Sequence, residues 1–268
     1  MLSWCDIGVN LFSQQFDSDR TDVLQRAAAA NVNQLILIGS DITESQQNLA
    51  FCQQNPGCFT TAGVHPHQAA HVVDNWQHQL RDLLDAGFVI AVGECGLDFN
   101  RDFSPRPKQQ QVFAAQLELA KAHAKPVYLH ERDAFTTQLA MLKEQQISHG
   151  VAHCFTGDSL QLKAYLDLGL YIGITGWLCD ERRGDTLRRA LQYLPLDRIL
   201  LETDAPYLLP RDLPTKPANR RNEPAYLPHI AKTVAHQLQL DLQQLAQQTQ
   251  ANCQRLFQLG PALLSGAA

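Results

Sequence analysis

The chain lacks the marks of several protein classes. No CxxC pair is present, and its seven cysteines are odd in number and scattered. That excludes a zinc ribbon or a thioredoxin-like motif. No apolar run reaches the ~18 residues that a membrane-spanning helix needs. The start of the chain has no basic segment followed by an apolar run of roughly 7–15 residues, so no secretory signal is expected. A GxGxxG fingerprint is also missing, which counts against a dinucleotide-binding sheet. Positive charge is scarce: 22 Lys and Arg stand against 27 Asp and Glu, a net charge of -5. This excludes a protein that coats nucleic acid by bulk electrostatics, but not an enzyme that grips a phosphodiester locally. Reduced thiols suit the cytoplasm, which is the expected location. No segment is of low complexity. The most linker-like stretch, PRDLPTKPANRRNEP (210–224), reads as a loop. One domain over 1–268 is therefore expected, with 261–268 as a frayed tail.

What is present is regular. The 268 residues, 45% of them hydrophobic, are enough for a large core. Short apolar, β-branched runs recur: WCDIGVN (4–10), QLILIG (34–39), CFTTAGV (58–64), FVIAVG (88–93), PVYLH (126–130), VAHCF (151–155), LYIGIT (170–175) and RILLETD (198–204). Between them apolar residues fall at helical spacing. Phe113, Leu117, Ala120 and Ala124 make one stripe; Leu242, Leu245, Thr249, Cys253 and Leu256 make another. Asp158 is placed to cap the helix after the sixth strand, and Gly169 to end it. Eight alternating strand and helix units predict an α/β fold, a closed parallel TIM (β/α)8 barrel. An open doubly wound sheet is the runner-up.

Polar residues fall at the strand ends, which a barrel gathers into one mouth. His65 follows the third strand, Glu94 ends the fourth, His130 the fifth, His153 lies in the sixth and Asp204 ends the eighth. A lone strand-end histidine is more often a hydrogen-bonded core residue than a ligand, and a lone buried glutamate is as often salt-bridged. Glu94, His130 and His153 on adjacent strands shift that balance toward a metal, which costs less than burying the carboxylate unpaired. Imidazole and carboxylate suit Mg2+ or a first-row ion such as Mn2+ or Zn2+. Glu202 and Asp204 stand two apart and share one side of their strand. Two buried carboxylates side by side call for a cation. Asp204, nearer the mouth, is the candidate ligand and base; Glu202, one pleat deeper, holds a second ion or supports a ligand.

His65 is placed to bond a leaving-group oxygen or a phosphate, although a local loop role fits it equally; His67 reads as structural or exposed. The remaining histidines, His71, His78, His123, His149, His229 and His236, read as solvated or as turn residues. Arginines cluster after strands seven and eight, a quarter of the barrel that often binds phosphate. Arg188 and Arg189 read as solvated; Arg221 and Arg132 are the substrate-contact candidates.

Together DIGVNL, TAGVHPH, GECGLDF, PVYLHERDA, HCFTG, ETDAPYLLPRD and RRNEPAYLPHI resemble, in order and spacing, the TatD family of metal-dependent deoxyribonucleases. The resemblance spans nearly the whole chain. It implies a TIM barrel that hydrolyses phosphodiesters with divalent metals, usually Mg2+. It places Glu94, His130 and His153 on the family's metal ligands and Asp204 on its strand-eight aspartate. Most relatives carry His-x-His in the first strand, where this chain has Gly8 and Asn10. That resembles the branch of 3′-5′ exonucleases that trim single-stranded DNA, and in some cases RNA. Gly8 offers no ligand, so one firm metal is expected and a second that is weak or absent. The expected partners are single-stranded 3′ ends, with no membrane and no second copy of the chain. Repair and nucleic-acid turnover both fit. A small-molecule amidohydrolase or lactonase on the same barrel, or a non-catalytic binder of nucleic-acid ends, are the alternatives.

Overall fold

A computed structural model describes residues 2–259. Eight strands pair in sequence order, every pair parallel. They are β1 (Trp4–Val9), β2 (Val32–Leu37), β3 (Cys58–Ala62), β4 (Val89–Asp98), β5 (Val127–Arg132), β6 (Gly150–Ala152), β7 (Tyr171–Ile174) and β8 (Ile199–Leu201). Each overlaps one predicted run. The ring is drawn together between β1 and β8 by Asp204 N donating to Gly8 O (2.9 Å) and Asn10 N donating to Ala205 O (2.8 Å). The fold is the single-domain, nearly closed barrel the alternation predicts. The tail at 261–268 lies outside the described residues.

Helices α1 (Arg20–Ala29), α2 (Ile42–Cys52), α3 (Trp76–Leu84), α4 (Arg106–Ala122), α5 (Phe135–Glu144), α6 (Ser159–Asp167), α7 (Asp185–Leu191), α8 (Leu227–Leu238) and α9 (Leu242–Phe257) cover the sheet. Local chemistry sets their ends. Asp158 takes the amides of Leu160 and Gln161 while Gln161 returns a bond to Asp158 N, a capping box that starts α6. Gly169, at φ 90°, follows its end. In α4, Phe113, Leu117 and Ala120 are buried, each large one contributing about 1.5–3 kcal/mol. Ala124 leaves the stripe: it lies past the helix at φ 51° and is exposed. No helix among the described residues is long and apolar enough to cross a membrane.

Two apolar layers position the site. One lies between sheet and helices. The other fills the barrel, with Ile7, Ile36, Ile38, Tyr128, Val151 and Leu200 facing one another. Cys253, Leu256 and Phe257 of α9 pack onto the start of the strands and close that end. Polar side chains therefore collect at the opposite end.

Candidate active site

The mouth is a cavity of about 550 Å³ at the C-terminal ends of the strands. Glu94 is aimed into it by an irregularity of β4, whose pairing with β5 shifts between Val92 and Cys95. Gly93, at φ 146°, permits the shift, and a Cβ there would collide with the Tyr128 carbonyl. Around Glu94 Oε1 stand three imidazoles: His130 Nδ1 at 2.9 Å, His65 Nε2 at 3.5 Å and His153 Nε2 at 3.5 Å. Burial opposes ionisation of Glu94, but His65, His130 and His153 outweigh it and hold the carboxyl well below its usual range. The structure thus brings together Glu94, His130 and His153, as the sequence suggested, and adds His65.

Each histidine has a distinct partner set. His65 Nδ1 accepts the His67 amide at 3.1 Å, so the proton of the neutral ring sits on Nε2, facing the mouth. Burial pushes its pKa down to about 3, keeping the ring neutral. His130 resists burial with the help of Asp98 and Glu94, which raise it to about 9. Its Nε2 lies 3.4 Å from Asp98 Oδ2, yet is buried with no hydrogen bond. His153 Nδ1 donates to Glu202 Oε2 at 2.7 Å, and Glu202 raises the ring to about 10 against its burial. Glu202 is fully buried. It also takes the Cys154 amide and the Tyr128 hydroxyl (2.9 Å), which places it behind His153 rather than in the cavity.

Asp204 does line the cavity. Burial raises its carboxyl to about 7, moderated by His153. Asn10 Nδ2 donates to its Oδ1 at 3.1 Å, so the residue that stands in place of a first-strand histidine holds the aspartate that follows β8. Donor atoms lie within 4.8 Å of one another in two groups here: His65, Glu94 and His130; and His153, Cys154 and Asp204. His67, read as structural or exposed, lies in the mouth with Nε2 2.6 Å from Asp98 Oδ2.

The arginines divide sharply. Arg221 is placed away from the cavity, its guanidinium taken by both oxygens of Asp19 (2.7 Å each) and by Gln15 O (2.6 Å). After β7, buried Asp180 gathers Arg183 (2.7 Å), Arg182 (3.8 Å) and Arg211 (3.9 Å). Arg132 lines the mouth as expected, and Arg101, absent from the sequence candidates, lines it too. Among the described residues neither makes a side-chain hydrogen bond or ion pair. Asp98 was legible as a second carboxylate in GECGLDF, four residues after Glu94. Arg101 and Tyr128 carried no signal, being single residues whose place depends on the closed barrel.

Comparisons with known proteins place the family and the fold. The family model described as TatD related DNase matches residues 5–258. A Citrobacter rodentium protein named 3′-5′ ssDNA/RNA exonuclease TatD is 51% identical over 254 residues, 94% of this chain and 97% of its own. A Salmonella typhimurium protein of the same name is 49% identical over 256 residues, 95% and 98% of the two chains. The crystal structure of YJJV, a TatD homologue from Escherichia coli K12, superposes with a TM-score of 0.89 at 28% identity, covering 96% of this chain and 98% of that one.

Proposed function

The chain belongs to the TatD-related DNase family, and from that premise we propose a metal-dependent 3′-5′ exonuclease that trims single-stranded DNA and RNA, releasing 5′-mononucleotides. The observation that carries this reading is the gathering of His65, His130 and His153 around one oxygen of Glu94, with Asp204 in the same cavity. The donors fit a divalent cation: they are imidazoles and carboxylates, and His130 Nε2 is a buried nitrogen without a hydrogen bond. Glu94, His130 and His153 would hold the firm ion, with Asp204 as a further ligand. Mg2+ is the ion of this reading; Mn2+ and Zn2+ suit the same donors. A second ion would be weak or absent, because Gly8 has no donor and Asn10 offers only a neutral amide oxygen where relatives place a histidine.

When bound, the ion polarises a phosphoryl oxygen and makes a nearby water more acidic. The chain's own groups do the rest. Asp204, which lines the cavity beside the ligands, takes or orients the proton of the attacking water. Asn10 fixes the direction of that carboxylate, and Glu202 fixes His153. His65, neutral and protonated on Nε2, donates to a phosphoryl oxygen. Arg101 meets the developing negative charge and Arg132 holds the adjoining strand, roles that Arg221 leaves to them by its bond to Asp19. The protein acts alone in this reading, in the cytoplasm, where its seven free thiols stay reduced.

The test uses metal-stripped protein and a single-stranded oligonucleotide labelled separately at each end, with Mg2+ or Mn2+ titrated back. A ladder shortening from the 3′ end, absent in Glu94→Ala, is expected. Binding without cleavage under any metal would leave an end-binding protein. Turnover of esters or lactones with intact oligonucleotide would leave a small-molecule hydrolase.

A further inference from the structure

The mouth is not closed on its β5–β7 side. A second groove of about 470 Å³ adjoins it, and the two share Glu131, Arg132, Thr156 and Trp177 as their common wall. The groove continues past Thr136 and Thr137. On the β4 side the mouth instead meets Arg101 and the exposed ring of Phe103, which packs on His67 at 4.7 Å between centroids. A strand shortened from one end needs unequal sides: a pocket for one terminal nucleotide and an open track for the rest.

We propose that Trp177 and Arg132 form the subsite for the nucleotide immediately upstream of the scissile phosphate, Trp177 stacking its base and Arg132 holding the next phosphate. The inference rests on the exonuclease reading above and assigns its substrate a direction: upstream strand into the second groove, terminal nucleotide toward Phe103 and Arg101. The side chains suit these tasks. Trp177 is half-buried and backed by Arg183, whose guanidinium lies 4.1 Å from the ring centroid and is anchored on Asp180 at 2.7 Å. A braced indole loses little freedom when a base stacks on it. Arg132 lies farther, 5.9 Å from the centroid, and is exposed; its side chain makes no hydrogen bond or ion pair among the described residues, so it can swing to a phosphate. The two acids of this wall are engaged elsewhere: Glu131 accepts the Ala134 amide (2.8 Å) and Asp133 accepts from Asn100 (2.6 Å). Stacking reads any base with an open face, so the subsite selects single strands over duplexes without selecting sequence.

Trp177 also supplies a readout that does not require turnover. Of the three tryptophans, Trp4 and Trp76 are buried, so a base stacking on an indole is reported by Trp177. With chelator present, titration of an eight-nucleotide single strand is expected to quench tryptophan emission. Read from the anisotropy of a 5′-labelled strand, which needs no tryptophan, Trp177→Ala should bind about tenfold more weakly, and Trp177→Phe should recover most of the loss. An abasic site at the penultimate nucleotide should weaken wild-type binding by a similar factor and leave Trp177→Ala unaffected. Equal affinity of wild type and Trp177→Ala, or indifference of the wild type to the abasic site, would overturn the subsite even if end-labelled oligonucleotides are still shortened with Mg2+. If wild-type protein neither binds nor shortens any oligonucleotide, the exonuclease reading falls and this inference with it.

Discussion

The most informative single residue is Gly8. A Cβ at this position would lie 2.6 Å from both Glu202 Oε2 and the Tyr128 hydroxyl. The space that a first-strand side chain would need is therefore filled by Tyr128 of β5 and by Glu202, which follows β8. Burial, followed by the charge of Glu202, pushes the Tyr128 phenol well above its ordinary range, so it keeps its proton and donates to Glu202. Gly8 and Tyr128 are thus one feature written at two positions. Gly8→Ala is expected to destabilise the protein by roughly 1–3 kcal/mol through overpacking. In a Tyr128→Phe background one of the two clashing oxygens is gone, so the same change should cost at least ~0.5 kcal/mol less. Urea midpoints of the four proteins measure this coupling, and strict additivity would show that Tyr128 does not fill the Gly8 space. The departure at Gly8 was visible in the sequence. Its physical counterpart was not, because Tyr128 reads as an ordinary aromatic residue of a buried strand until the barrel is closed.

At the scale of elements, the parts that sequence made legible are those specified locally. The eight strands follow from β-branched runs, the start of α6 from Asp158, and the order of polar strand ends from barrel topology. Contacts between distant segments were illegible, and Arg221 is the clearest case. In the sequence it is one of several basic residues in a loop near the mouth. In the fold it meets Asp19 just before α1, while Glu223 meets Arg26 within α1 at 2.7 Å. This four-residue cluster ties the loop after β8 to the first helix. Arg221→Ala is expected to cost about 2 kcal/mol, because a mostly buried guanidinium loses charged hydrogen bonds and Asp19 keeps only Arg26, while KM for oligonucleotide changes little. Hydrogen bonding from Arg221 and Arg26 holds the Asp19 carboxyl down at about 2, below the ~3.9 of an unfolded chain. Its contribution is then fully present above pH ~4 and is lost as pH falls through about 2. The stability gap between wild type and Arg221→Ala, followed by denaturant unfolding, should hold steady from neutral pH to about 5 and narrow below 4. A gap that widened in acid would contradict the pairing.

For the molecule as a whole, the question is how a chain with a net charge of -5 handles a polyanion. The answer lies in where its arginines are spent. Arg221 is held by Asp19, and Arg183, Arg182 and Arg211 gather at Asp180. Arg101 and Arg132 line the mouth with side chains that pair with no acid among the described residues. Binding should therefore be local, with few phosphates neutralised. Counterion release from single strands gives a slope of log affinity against log salt of about -0.7 per phosphate contact, so two arginines set an expected slope near -1.4. Measured with chelator present, to exclude the charge of any metal, Arg132→Ala should reduce the slope by about half and Arg221→Ala should leave it unchanged. A wild-type slope several times steeper would mean that phosphates are held along a surface of the protein beyond the mouth. A slope near zero would mean that stacking alone carries the strand and that Arg101 and Arg132 do not reach its phosphates.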